Sequence, residues 1–340
     1  MNKALQIIGF IAVLIISLRF LTFYTYSTDT DDGVHKANFL RDYNIYALPL
    51  PEDITFAGEF VPVIDPDIHE RFDRELHVNT YWQSQTLLFI KRARRYEDII
   101  EPILKKYGIP NDFKYLSLIE SGYSNVVSPA GATGFWQILE STGKHYGLEI
   151  TKEVDERYDV ARSTEAAAKY LREAYDEFGN WTLAAASYNM GISGLKKQME
   201  RQKAKSYYDL TLNSETARYI FRILAVKEIM ENQEKYGFHV REKDLYHPIP
   251  TYTLKLDTAV EEFGDFARKL GINYRILKYH NPWLRYEYLP NPSGKTYQIQ
   301  IPKKGYYWLD DETAMLPEDF ESDKDVPEAI SDTTDVPDSE

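Results

Sequence analysis

The 340-residue chain contains no cysteine. That excludes a disulfide framework, a thiolate metal site and a lipidated N-terminal cysteine, while remaining compatible with export. Histidines stand at 35, 69, 77, 145, 239, 247 and 280, with no pair at metal-ligand spacing, so no metal and no cofactor is expected. Positive charge is also short, at a net −13. The deficit is almost all tail: residues 310–340 hold 13 Asp and Glu against Lys324 alone, which leaves the rest of the chain nearly neutral. A body without a basic stripe offers nothing for nucleic acid.

What is present begins with an apolar N-terminal run. Lys3 precedes Leu5–Leu18, and Phe20–Tyr24 follow Arg19, a positive n-region and an apolar h-region. Residues 1–28 are therefore expected to be a signal peptide or signal anchor. Tyr24, Tyr26 and Thr28 make poor cleavage positions. This favours an uncleaved membrane anchor with Lys3 inside and Asp29, Asp31 and Asp32 outside, Arg19 snorkelling to the interface. A buried N-terminal helix is the plain alternative, against which the polar flank Thr28–Asp32 argues.

Pro49, Pro51, Pro62 and Pro66 interrupt residues 29–66, which read as a tether along the domain surface. From Asp67 the period becomes helical, with Ile68, Phe72 and Leu76 on one face. Arg92, Arg94 and Arg95 read as a solvated helix face. Helices are predicted from Asp159 or Ser163 to Gly179, from Trp181 to Met190 and from Glu215 to Glu231. The body, residues 67–245, is thus mainly α. Pro248 and Pro250 mark a boundary. Beyond it Tyr252–Leu256 alternates as a strand, helical patterns cover Ala259–Leu270 and Tyr274–Tyr279, and Tyr297–Pro302 is a second strand. Residues 250–305 are therefore a small α+β (βααβ) module, expected to be separable. The acidic tail, 310–340, has too few large apolar residues to fold.

The stretch that organises the chain runs from Lys114 to Ile138. Phe113, Tyr115, Leu116, Leu118 and Ile119 leave the helix after Pro110-Asn111 almost no polar face, so it should be buried. Phe113, Leu116, Ser117 and Glu120 share one side. Burial disfavours an ionised carboxylate and raises its pKa, and a carboxyl protonated near neutral pH is what a general acid requires. The plain reading of Glu120 is a buried acid held by backbone amides at a helix end.

Four motifs follow one another: Glu120-Ser121, Gly131-Ala132-Thr133-Gly134-Phe135-Trp136-Gln137, Ala184-Ala185-Ala186-Ser187-Tyr188-Asn189-Met190-Gly191, and Glu215-Thr216-Ala217-Arg218-Tyr219. Together, over roughly residues 95–235, they resemble the catalytic domain of the family 1 lytic transglycosylases, which have a goose-lysozyme-like fold. The family usually spells Asn-Pro or Asp-Pro after Glu-Ser. Here Ser124-Asn125-Val126-Val127 stands instead, so the loop carrying Ser128 is expected to be set differently. The C-terminal module resembles a degenerate LysM domain, departing at Leu256-Asp257-Thr258 and interrupted by a Tyr- and Pro-rich insertion, Trp283–Pro292.

The resemblance implies a lysozyme-like helical catalytic domain acting on peptidoglycan glycan strands in the cell envelope or periplasm. Ordinary glycosidases use two carboxylates; the matched motifs hold one. In family terms Glu120 protonates the bond between MurNAc and GlcNAc, then takes the proton of the MurNAc C6 hydroxyl to close a 1,6-anhydro ring. Ser121 and Ser128 would position Glu120 or the acetamido group, Gln137 and Asn189 would hydrogen-bond sugars, Tyr188 would pack near the acid, and Tyr219 would reach it. Each has a plain counterpart: core tyrosines with satisfied hydroxyls, a Gln capping its own loop, a Trp136 that only packs. A goose-type lysozyme hydrolase and a non-catalytic wall-binding scaffold are the rival functions.

Overall fold

The computed structural model describes residues 32–34 and 45–309. The expected N-terminal anchor and acidic tail lie outside the described residues, as does most of the first part of the expected tether.

Residues 50–309 belong to one unit. A short ribbon, β1 (Thr55–Phe56) and β2 (Glu59–Phe60), leads into eight helices: α1 (Pro66–Tyr81), α2 (Gln83–Lys106), α3 (Phe113–Ser121), α4 (Glu140–His145), α5 (Val160–Phe178), α6 (Trp181–Met190), α7 (Ile192–Gln202) and α8 (Ser214–Glu231). The starts and stops follow local chemistry. Asp159, Asn180 and Asn213 cap α5, α6 and α8, accepting from the backbone N–H of Arg162, Leu183 and Thr216. Gly179 ends α5 in the left-handed conformation at φ 63°. Helix α1 packs on α8, α2 on α5, and α6 on both α5 and α8. Ala184, Ala185 and Ala186 are fully buried, their small side chains letting the helices approach closely. Buried Glu75 ties α1 to α8 by accepting from Arg218 Nε at 2.7 Å and Nη2 at 3.2 Å.

The C-terminal module has the order β3 (Thr251–Leu256), α9 (Phe263–Lys269), α10 (Tyr274–His280) and β4 (Tyr297–Pro302), with the strands antiparallel and Leu254 opposite Ile299. Asn281, at 0% exposure, donates to the carbonyls of Leu277 and Gln300 and accepts from the Gln300 N–H. It joins the end of α10 to β4 with its polar groups satisfied.

Several expectations change. The stretch read as a surface tether enters the core: Ile54, Phe56 and Val61 are buried, with Phe56 5.2 Å from Phe113 between ring centroids. The prolines hid this because the ribbon is too short to show a period. Helix α9 is shorter than Ala259–Leu270, since Val260 instead forms a bridge with Leu289. Arg94 is exposed as the solvated-face reading has it, while Arg92 and Arg95 are half-buried and hold distant partners. Arg92 donates to Gly122 O at 2.9 Å, and Arg95 to Tyr279 Oη at 2.8 Å and His247 O at 3.1 Å. The module, finally, is not self-contained: its apolar core includes Val154, from the body.

Candidate active site

Glu120 sits on the last turn of α3, a helix set deep in the body: Phe113, Leu116, Ser117 and Leu118 are fully buried. The helix stops just past it because Gly122 takes a left-handed conformation at φ 60°, its N–H bonding to Leu118 O. An added Cβ would lie 2.9 Å from the Phe89 ring, so this close turn favours glycine.

Tyr219, fully buried on α8, donates its hydroxyl to Glu120 Oε1. Burial pushes the Glu120 carboxyl above the ordinary carboxylate range; the Tyr219 hydrogen bond and the Arg222 charge pull it down, and Glu215 adds to the rise. Arg222 acts through its field while its guanidinium donates to Ile119 O at 3.0 Å. Glu120 thus differs from Glu75, which burial leaves directly paired with a guanidinium. Burial also drives the hydroxyls of Tyr188 and Tyr219 well up, so both stay un-ionised donors.

The other expected residues are placed around this pair with different partners. Tyr188 donates to Trp136 O at 2.8 Å. Ser121 turns away from Glu120 and donates to Phe135 O at 2.8 Å, beside Ser117, which donates to the same carbonyl at 3.0 Å. Gln137, at φ 47°, donates its amide to Val126 O and Gly134 O, capping its own loop. Trp136 is fully buried and donates to Thr164 Oγ1 at 2.8 Å. Asn189 donates to Glu215 Oε1 at 3.0 Å and accepts from Thr216 Oγ1 at 2.6 Å. Ser128 accepts from the Ala132 N–H within its own tight turn. The structure therefore brings Tyr219 directly to Glu120. It brings Tyr188 close enough for the Glu120 charge to add to the rise of the Tyr188 hydroxyl, and it uses Ser121 and Gln137 to hold the intervening loop.

Residues 98–211 match the family described as transglycosylase SLT domain. The chain carries an SLT domain. Residues 252–305 match the soluble lytic transglycosylase C-terminal LysM-like domain. Glu120, Tyr188 and Asn189 fall inside the SLT match, while Tyr219 comes from α8, beyond its end. Over 258 residues the chain is 31% identical to membrane-bound lytic murein transglycosylase D of Escherichia coli (strain K12), covering 73% of this chain and 55% of that one. It therefore spans about half the length of that relative, at 55%. It is also 28% identical over 137 residues to a putative tributyltin chloride resistance protein of Alteromonas sp. (strain M-1), covering 40% of this chain and 66% of that one. The solved 70 kDa soluble lytic transglycosylase of Escherichia coli aligns with a TM-score of 0.38 and 18% identity, over 52% of this chain and 33% of that one.

Two charged neighbours of Glu120 carry no motif of their own in the sequence. Arg222 follows Tyr219 by three residues, and a cation in so apolar a helix is a readable signal. Glu215 stood inside a quoted motif, but its effect on Glu120 comes from the packing of α8 against α3. Arg157, buried under the Gly131–Ile138 loop, has no sequence signature.

Proposed function

We propose that the chain is a peptidoglycan lytic transglycosylase, a carbon–oxygen lyase that cleaves the β-1,4 bond between MurNAc and GlcNAc and leaves 1,6-anhydroMurNAc ends during cell-wall remodelling. The observation that carries the reading is Glu120 itself. It is an acid held above its ordinary range by burial and touched by a tyrosine hydroxyl, inside an SLT domain. Protonated, Glu120 hands its proton to the glycosidic oxygen as the bond to MurNAc C1 breaks, and the MurNAc acetamido group assists at that carbon. The carboxylate left behind is stabilised by the Tyr219 hydroxyl and the Arg222 charge. It then accepts the proton of the C6 hydroxyl as that oxygen bonds to C1. One residue is acid and then base, and no water is consumed.

In this reading Tyr188 and Tyr219 line the acid. Ser121, Ser128 and Gln137 shape the loop beside it, and Asn189 offers an amide to the sugar from its seat on Glu215. The LysM-like module adds weak glycan affinity. The site acts in the cell envelope or periplasm, with the chain held to the inner membrane by residues 1–28. Among the described residues no helix is long and apolar enough to cross a membrane; recovery of a soluble mature protein beginning near residue 28 would refute the anchor.

The test is mass spectrometry of muropeptides released from purified sacculi. Anhydro ends are lighter than hydrolysed ones by one water, about 18 Da. Reducing ends would favour a goose-type lysozyme hydrolase. Sedimentation with sacculi and no release would favour a wall-binding scaffold.

A further inference from the structure

The insertion that interrupts the LysM-like pattern is the part of the module that meets the body. Leu284 bridges to Val154, the Asp155 N–H donates to Trp283 O at 2.9 Å, and the Arg285 N–H donates to Glu153 O at 2.7 Å. Val154, 1% exposed, completes the module's core. The Arg285 guanidinium lies 3.8 Å from the Tyr158 ring centroid, Tyr297 Oη donates to Glu149 at 3.0 Å, and Lys295 pairs with Glu149 and Glu156. Body residues 149–158 are thereby fastened along their length.

Arg157 stands in that segment. It grips Asp155 with two hydrogen bonds, at 2.9 and 2.7 Å, and Asp155 is the residue whose N–H the module holds. Its Nη1 donates to Gly131 O at 3.2 Å and Ile138 O at 3.3 Å, at the two ends of the loop beside Glu120. The same loop is pressed onto the Arg157 backbone: a Cβ on Gly134 would lie 2.0 Å from Arg157 O. From there Phe135 O receives Ser121 and Trp136 O receives Tyr188. An unbroken series of contacts runs from Trp283–Arg285 to the surroundings of the acid.

We infer that the module is a brace, and that Arg157 is the positioning residue through which it sets the Gly131–Ile138 loop against Glu120. A glycan-binding appendage would act on substrate affinity; a brace acts on the geometry of the bound complex, where a misplacement of about 1 Å can cost about 100-fold in rate. For its kinetic arm the inference rests on the proposed lyase activity.

The experiment uses the full chain. Val154→Asp places a carboxylate in the module's core and should undock it, leaving the body's own core intact. Two readouts are taken: hydrogen exchange at the amides of Thr133, Gly134 and Ile138, and kcat and KM on soluble glycan chains. The brace predicts faster exchange at those amides and a kcat lower by about 10- to 100-fold, with KM changing less. Arg157→Ala should match it, and Arg157→Lys should recover part of the loss. If Val154→Asp does not fold, the combination Arg285→Gln, Lys295→Gln and Tyr297→Phe, which removes polar contacts and leaves every apolar core side chain in place, decides, with the same two changes at smaller size. Unchanged exchange and kcat with only a raised KM would overturn the brace in favour of an appendage. If the wild type releases no anhydro product, the lyase reading fails, and the exchange measurement still decides the inference.

Discussion

The helical body and the LysM-like module treat buried polar groups differently. In the body, with its large core of Leu116, Ile220, Leu224 and their neighbours, Glu120 is half-buried and its main contact is one tyrosine hydroxyl. In the module, Asn281 is fully buried yet makes three hydrogen bonds. The module spans little more than residues 252–305 and takes Val154 from the body to complete its interior. A small domain buries too little apolar surface to carry an unsatisfied group. The larger core tolerates a half-buried acid with few partners, and such a local cost is expected at a functional site.

The sharpest test of that contrast is Glu120→Gln. Turnover should fall by about 10² to 10⁴ or more, while the melting temperature holds or rises. A raised folded-state pKa means that the contribution of Glu120 to stability is fully present below the unfolded carboxylate pKa and is lost as pH rises through the folded value. The stability of the mutant relative to wild type should therefore increase with pH across that window. A mutant that melts well below wild type at neutral pH would make Glu120 a structural acid like Glu75.

Gly134→Ala strikes the contact between the Gly131–Ile138 loop and the body segment that the module fastens. The new methyl meets the Arg157 carbonyl at 2.0 Å, and the residue sits at φ 80°. Overpacking and left-handed strain together should cost about 2–4 kcal/mol, read from the urea midpoint. Wild-type stability would show that the loop does not press on Arg157.

Within the module, Asn281→Ala strands the N–H and C=O of Gln300, at about 2–3 kcal/mol. Because the module's core includes Val154, unfolding should remain a single transition by circular dichroism and fluorescence. A separate early transition would show the module to be independent after all.

The smallest expected effect is that of Tyr219→Phe. The hydroxyl it removes lowers the Glu120 pKa, so the high-pH limb of the rate profile should move upward. A downward move would mean that the hydroxyl favours the protonated acid.

The helices of the body were legible because their apolar spacing, the caps Asp159 and Asn180 and the stop at Gly179 are local signals. Glu120 was legible for the same reason, as a charge breaking an apolar run. The βααβ order of the module could likewise be read from its alternating strands. Arg95, Phe56 and Val154 were not legible, since each takes its role from a partner distant in sequence: His247 and Tyr279, Phe113, and Leu284.

By itself, then, the sequence determined the mainly helical body, the small mixed module and the order of motifs around one acid, because periodicity, caps and turns act over a few residues. Only the tertiary structure decided that Tyr219 touches Glu120, that Ser121 turns to Phe135 instead, that Ser128 stays within its own turn, and that the module is fastened to the segment holding Arg157. Ser128 apart, whose bond to Ala132 is local, those outcomes depend on desolvation and on contacts between residues from 14 to 148 apart in sequence, for which no local pattern exists.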